Sequence, residues 1–359
     1  MKKLILILCT AFACAQFALA QVTFRFSDGI YNQTLKSQVE RNVSALLTEI
    51  NRAERNRVGL LNLGGVRIDD NAANGLRSLW KNIHFRCEWN NNVQSCIQDF
   101  TGYEVRQIPV EMKPLDNTYK GELHKELTIS FNKQGVITGV RTAIDNNSYL
   151  ALLSGGKANL DMRMRREILK FVEDFRSYYV EKNIAALDEI FSDDALIITG
   201  RVIKTMGKSQ ADGVSQQVKE KVVYSKQNKQ QYINNLRALF QSNEYINVDF
   251  SDIELMRHGS NPNFYGVKLR QKWASQRYSG RQYSDDGYVF LLWDFTEEGN
   301  PKIHVRTWTP KRPGQKGDDF SPEDFFLLAL ANSHKYHVVY IIMRLMIIFV
   351  RYLISLICI

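Results

Sequence analysis

Residues 264–275 read FYGVKLRQKWAS, 287–295 read GYVFLLWDF and 302–309 read KIHVRTWT, and with YINVDFSDIELM at 245–256 these runs decide the fold. Each is long enough for a strand, and three of the four alternate polar and apolar residues with the period of two that a half-buried strand requires. In 245–256, Ile246, Val248 and Phe250 oppose Asn247 and Asp249 until the phase slips near Ser251, as at a bulge. In 264–275, Val267, Leu269, Gln271 and Trp273 oppose Lys268, Arg270 and Lys272. The run 287–295 is apolar on both faces, as a central strand should be. In 302–309, Ile303, Val305 and Thr307 alternate with His304, Arg306 and Trp308. The turns between them carry Gly259, Asn261 and Pro262, or Asp285, Asp286 and Gly287, residue types that tolerate or enforce reversal.

Working outward, residues 162–182 place Ile168, Phe171, Val172, Phe175 and Tyr179 on one helical stripe. A shorter helix at 183–191 leads through Ser192, Asp193 and Asp194 into a strand at 195–199. Residues 200–221 are polar and read as a loop or flap; 228–240 form a third helix with Tyr232, Leu236, Leu239 and Phe240 inward. Residues 21–145 repeat the order: a strand at 22–26, a long amphipathic helix at 33–55, a second helix begun by Asp69 and Asp70, then strands at 94–99, 103–112, 121–132 and 136–144. The expected fold class is therefore α+β, two tandem domains at 21–145 and 161–310, the first a divergent copy of the second in element order alone. The connector, 146–160, is interrupted by Asn146, Asn147, Gly155 and Gly156.

The chain has 359 residues, a formal charge of +9 and an ordinary globular composition. Two of the excess cations precede residue 20 and a further surplus follows Pro310, so the body is only mildly basic. That balance argues against nucleic acid as a partner. Lys2 and Lys3, an apolar run from Leu4 and then Ala18-Leu19-Ala20 read as a signal peptide, residues 1–20, with export to the periplasm or cell surface expected. Five cysteines occur, and Cys87 and Cys96 are the two in the body. In an oxidising compartment they are expected to form a disulfide closing a short loop, since neither a Cys-x-x-Cys spacing nor partnered histidines point to metal. After Pro310 a charged linker precedes a hydrophobic tail at 337–359, long enough for a membrane span but interrupted by Arg344 and Arg351. An anchor, a membrane-surface helix and a frameshifted end all remain open, and the break in composition favours the last.

Phe171-Val172-Glu173-Asp174-Phe175, Ile190-Phe191-Ser192-Asp193-Asp194-Ala195, the helix from Tyr232 to Phe240 and the strand ending Ile303-His304-Val305-Arg306-Thr307-Trp308 resemble the nuclear transport factor 2-like, or SnoaL-like, superfamily. The resemblance covers residues 162–310 and implies a cystatin-like α+β cone, helices over a strongly curved mixed sheet. The whole arrangement is similar to exported two-domain proteins of Gram-negative bacteria. Enzymes of that superfamily use an acid or base inside the cone, with a tyrosine or histidine nearby.

The catalytic candidates this implies are Tyr179, Asp194 and His304, with Tyr178, His258, Asp285 and Asp286 behind them. Each has a plainer role as a turn former, a solvated end or a packed ring. No phosphate loop, His-Glu-x-x-His or Gly-x-Ser-x-Gly occurs, and no metal or cofactor is expected. If the aliphatic residues of the last four strands line the cone, then Lys268, Arg270, Lys272, His304, Arg306 and Trp308 face outward as a basic, partly aromatic surface. Such a surface suits a protein partner, an anionic glycan, an anionic membrane component or a second copy of the chain. The expected function is an exported envelope binding or scaffold protein without catalytic role, using the sheet face or a small apolar ligand in the cone; the alternative is an isomerase, dehydratase or hydrolase acting inside it.

Overall fold

The computed structural model describes residues 21–144, 146–154, 160–206, 218–258 and 261–311. Residues 1–20, expected as a signal peptide, and the hydrophobic tail at 337–359 lie outside them. Among the described residues no helix is long and apolar enough to cross a membrane.

The first domain opens with strand β1 (Thr23–Asp28) and helices α1 (Gln33–Arg55) and α2 (Asp70–Asn82). Asn32 and Asp69 cap the two helices, each accepting a backbone N–H three residues on. Strands β2 (Ile83–Cys87), β3 (Asn90–Gln98), β4 (Gly102–Pro114), β5 (His124–Asn132) and β6 (Ile137–Thr142) follow. The sheet runs β1-β3-β4-β5-β6, with β2 also pairing β4. Val39, Val43, Leu46, Leu47 and Ile50 of α1 are fully buried against it.

Helix α3 (Asn146–Ser154) lies in the connector. The second domain comprises α4 (Met162–Val180), α5 (Ile184–Ile190), β7 (Phe191–Met206), β8 (Val218–Gln227), α6 (Lys229–Ser242), β9 (Asn243–Arg257), β10 (Phe264–Arg277), β11 (Gln282–Asp294) and β12 (Lys302–Pro310). Its sheet order is β8-β7-β12-β11-β10-β9, with the single parallel pairing between β12 and β7. Three helices over a six-stranded mixed sheet are the cone that the resemblance implies. Val267 and Leu269 are completely buried on the inner face with Phe175, Phe191 and Trp293. The phase slip near Ser251 is real: the β9 register shifts there, and Asp252 takes a positive φ of 50°.

The segment expected as a loop at 200–221 instead carries the long end of β7 and the start of β8, paired from Ile197↔Gln227 to Met206↔Val218. Its Lys- and Gln-rich composition hides a strand because β8 is an edge, with only one neighbour to satisfy.

The two domains meet along α4, which is buried on both sides. Its apolar stripe enters the cone, while Glu173, Arg176 and Lys170 turn toward the first sheet. Glu173 accepts from Arg106 and Arg141 and from the Ile144 amide; Arg141 also pairs with Glu104 and Asp174, and Lys170 with Asp99. Tyr149 of α3 stacks on the Arg106 guanidinium at 3.8 Å.

The expected disulfide is not formed: Cys87 and Cys96 are both free and buried. Cys87 pairs with Val110 and Cys96 with Val105 on the same strand, β4. Five residues of strand separate their partners by on the order of 15 Å, far beyond the roughly 7 Å Cα limit for a bridge. Closeness in sequence misled because β2 and β3 join different stretches of β4. Burial pushes the two thiols up, to about 11 and about 12.

Candidate functional site

The inner face of the cone is not wholly apolar, because β12 does not alternate in the phase its sequence suggests. Ile303 pairs with Trp293 and Val305 with Leu292, so His304 is an extra residue in a β-bulge. Beyond it the faces exchange: Arg306 aligns with Leu291 and Trp308 with Val289, both inward residues. Arg306 is 5 % exposed and Trp308 3 %, so the outward surface expected of them does not exist. Two glycines make room for the indole. An added Cβ on Gly287 of β11 would meet Trp308 Nε1 at 2.5 Å, and one on Gly200 of β7 its ring at 2.7 Å.

The remaining members of that expected surface scatter. Lys268 is buried and pairs with Glu254 at 2.7 Å, its stem beside the outer Tyr288 and Phe290 strand positions. Arg270 is held by Asp286 at 2.6 and 2.8 Å, and Lys272 alone is exposed. The bulged His304 lies at the rim, its Nδ1 at 3.1 Å from Asp194 and Nε2 at 3.6 Å from Asp294. Two catalytic candidates thus come together, but Asp194 is largely exposed and also receives the Ser192 hydroxyl. A solvent-open His–Asp contact at a rim binds no substrate by enclosure.

Tyr179, the third candidate, is at the centre. Its hydroxyl shares a 2.6 Å hydrogen bond with Tyr232, and its ring meets Trp273 edge-on at 5.6 Å. Burial, reinforced by Tyr232, pushes its ionisation well above the ordinary range, so it remains a hydrogen-bond donor. The Arg306 guanidinium lies beside that hydroxyl, 5.5 Å from the Tyr232 ring centre, with Nη2 donating to Gln271 Oε1 at 3.4 Å. Its Nε and Nη1 are buried without a hydrogen-bond partner, as is Trp308 Nε1.

Asp285 completes the cluster. It pairs across strands with Trp273 and accepts from the Tyr283 hydroxyl at 2.9 Å, while its other oxygen, Oδ1, is buried without a partner. Burial raises its carboxyl to about 6, against the lowering effects of Tyr283 and Arg306. Read as a hairpin residue from sequence, Asp285 is inward because the hairpin lies beyond it. The inward phase of Gly287 and Trp273 is the signal that could have found it. Among the described residues no cluster of three His, Cys, Asp or Glu side chains is placed to hold a metal ion.

No protein-family model matches the chain, and no curated protein does. Solved structures similar to it include an uncharacterised protein with a cystatin-like fold from Caulobacter vibrioides, 14 % identical over 41 % of this chain and 88 % of that one, with a TM-score of 0.28. A nuclear transport factor 2-like protein of unknown function in nutrient uptake from Rhodospirillum rubrum is 15 % identical over 40 % of this chain and 98 % of that one, with a TM-score of 0.28. A naphthalene 1,2-dioxygenase with indole bound aligns at 9 % identity over 48 % of this chain and 90 % of that one, with a TM-score of 0.34. These partial likenesses bear on no chemistry of this chain.

Proposed function

We propose that the protein is an exported envelope binding protein whose cone receives a small molecule bearing a carboxylate, held by Arg306 among aromatic walls. One observation carries the reading: a guanidinium buried beneath Tyr179 and Tyr232 with Nε and Nη1 unpartnered. Asp285 interacts with this guanidinium electrostatically but makes no hydrogen bond to it. Buried donors left unmatched cost about 1–3 kcal/mol, and an anionic guest is the partner that would match them. A planar fork of donors suits a carboxylate in particular. Tyr179, Tyr232, Trp273 and Trp308 supply the aromatic sides. The reading of residues 1–20 as a signal supports export.

Calorimetric titration with aromatic carboxylates and their primary amides tests the cone. Carboxylates should bind, the matching amides should not, and Arg306→Met should abolish the difference. If Arg306→Met leaves carboxylate binding intact, the reading fails. Export is checked separately by fractionating cells that carry the full chain; protein confined to the cytoplasm would remove that part.

The unpartnered Asp285 Oδ1 supports a second reading. A carboxyl titrating at about 6 inside the cone can act as a general base, with Arg306 and Tyr179 stabilising an enolate-like charge. That would be an isomerase, dehydratase or hydrolase. Hydrogen–deuterium exchange next to the carbonyl of a bound keto acid, lost in Asp285→Asn, would favour it; the absence of exchange in the unaltered protein would sink it.

A further inference from the structure

We propose that the outer face of the second sheet is a docking surface for the chain's own residues 320–331, which cover it as a short apolar helix. The fold then runs on to about Asn332, past its last strand.

Along β11, Val289 and Leu291 enter the cone, so Tyr288 and Phe290 point the other way. They are nonetheless only 1 % and 3 % exposed. The positions flanking Phe290 on that side are as dry: Thr307 of β12 and Lys268 of β10, directly opposite it in the two ladders, are both buried. Ile198 of β7, which alternates with the inward Ile197, is buried too.

One layer of sheet does not dry its own outer face. A face turned to water keeps its side chains part-exposed and its lysine ammonium groups solvated, whereas the apolar stripes of α4, α5 and α6 all pack from the cone side. A second layer is required. Its character is legible in what it meets. The Phe290 ring lies across Gly266, where an added Cβ would stand 2.9 Å from Cε2, and forms a patch with Tyr288, Met256 and Leu292. Thr307 Oγ1 is buried without a hydrogen-bond partner, so the cover presents carbon there and no polar group.

The sequence after Pro310 supplies such a cover. Residues 207–217 are polar apart from Ala211 and Val214, and residues 1–20 lead into β1 of the other domain. Pro310 pairs with Gly287 at the corner of the patch, and Thr307 lies about 10 Å back along the same strand. Lys311 to Asp319 contains Pro313, Gly314 and Gly317, the residues of a reversal. Ser321, Pro322 and Asp324 then read as cap, first position and capping-box acid of a helix, with Phe320 and Phe325 spaced as its hydrophobic staple. Phe325 to Leu330 are six apolar residues in succession, and a helix apolar all round has to be buried. Ten residues of helix are about 15 Å long, enough to cross β10, β11 and β12 at about 4.8 Å apart.

Hydrogen exchange on the full chain reads the docking. Amides at 325–330 should exchange at least about tenfold more slowly than in a free chain, and Phe290→Ala should return them toward the free rate. Because a change in β11 also loosens the cone, Leu327→Asp with Leu328→Asp makes the same test from the other side. In that variant Lys268 should react with an amine-directed acylating reagent at least about tenfold faster than in the unaltered chain, while exposed Lys272 and the amides of α4 stay as they were. Free-chain exchange at 325–330, or a Lys268 equally slow in both chains, would overturn the proposal. So would protection that appears only as protein concentration rises, which would give the face to a second copy, and protection confined to 337–359, which would give it to the hydrophobic tail.

Discussion

Glu173 on α4 receives both terminal nitrogens of Arg106 from β4, at 2.7 and 2.9 Å, in the space between the two sheets. The carboxylate is fully buried. Burial alone would raise its pKa, but Arg106 and Arg141 overcome that and hold it well below the ordinary carboxylate range. Removing one member leaves buried charge only partly answered by the others, Glu104 and Asp174 for the arginines or Arg141 for Glu173. Glu173→Ala should therefore cost about 3–5 kcal/mol in urea unfolding, and Arg106→Met a similar amount. The double variant should cost less than the two losses added, since the second change removes the stranded charge.

Glu181, just beyond α4, makes the opposite kind of demand. Its carboxyl lies against Gly75 of α2, where an added Cβ would stand 2.6 Å from Oε2. Burial, then Asp174, raise it to about 8 from an ordinary 4.5. Between those two values the folded chain holds a proton that the unfolded chain releases, so this group's contribution to stability falls as pH climbs from about 4.5 to 8 and is level beyond. Glu181→Gln fixes the neutral shape. It should match the unaltered protein near pH 4 and exceed it by on the order of 2 kcal/mol at pH 9, after discounting for partial exposure. Thermal melts across that range check it, and an advantage that does not grow with pH would contradict it.

The helices, their caps and the four last strands were legible because each follows a short-range rule: Asp69 before α2, Asn228 with Gln231 closing a capping box before α6, and period two along β9 and β10. The phase of β12 was not. Ile303-His304-Val305-Arg306-Thr307-Trp308 alternates equally well in either register, and the residue that decides it, bulged His304, differs from its neighbours only through its pairing with β11. The same limit hid the charged side of α4. An apolar stripe reports one buried face, and Glu173 and Arg176 look solvated until a second sheet is placed over them. Cys87 and Cys96 failed for the converse reason: chain separation says nothing of which part of β4 each strand joins.

Edge strand β9 is guarded by a side chain in place of a neighbouring strand. Asn82, at the end of α2, donates to the Ile246 carbonyl at 2.8 Å and accepts the Ile246 amide at 2.9 Å. Its amide thereby imitates one rung of a ladder and closes an edge that would otherwise offer bare backbone. Asn82→Ala leaves two buried backbone groups unpaired, at about 1–3 kcal/mol each where water cannot enter. We expect a loss of about 2–3 kcal/mol in denaturant unfolding, together with faster hydrogen exchange at the Ile246 amide. Asn82→Asp keeps an acceptor for the amide but faces the carbonyl with charge, and should not restore stability.

Cys87 and Cys96 give a prediction that separates the protein's chemistry from its compartment. Their β4 pairing holds these thiols apart, and burial keeps both protonated at neutral pH, whichever compartment the protein occupies. Reductant should leave the melting temperature unchanged, because no bridge contributes to it. Peptide mapping after alkylation under denaturing conditions should recover the two cysteines on separate, fully alkylated peptides, and alkylation of the native chain should be slow at both. Asn51 bonds the Cys87 backbone through both ends of its amide, at 2.9 and 3.0 Å, fixing β2 against α1. Asn51→Ala should therefore hasten labelling at Cys87 well before it does so at Cys96; equal acceleration at both would mean that the first domain opens as one unit rather than at this strand.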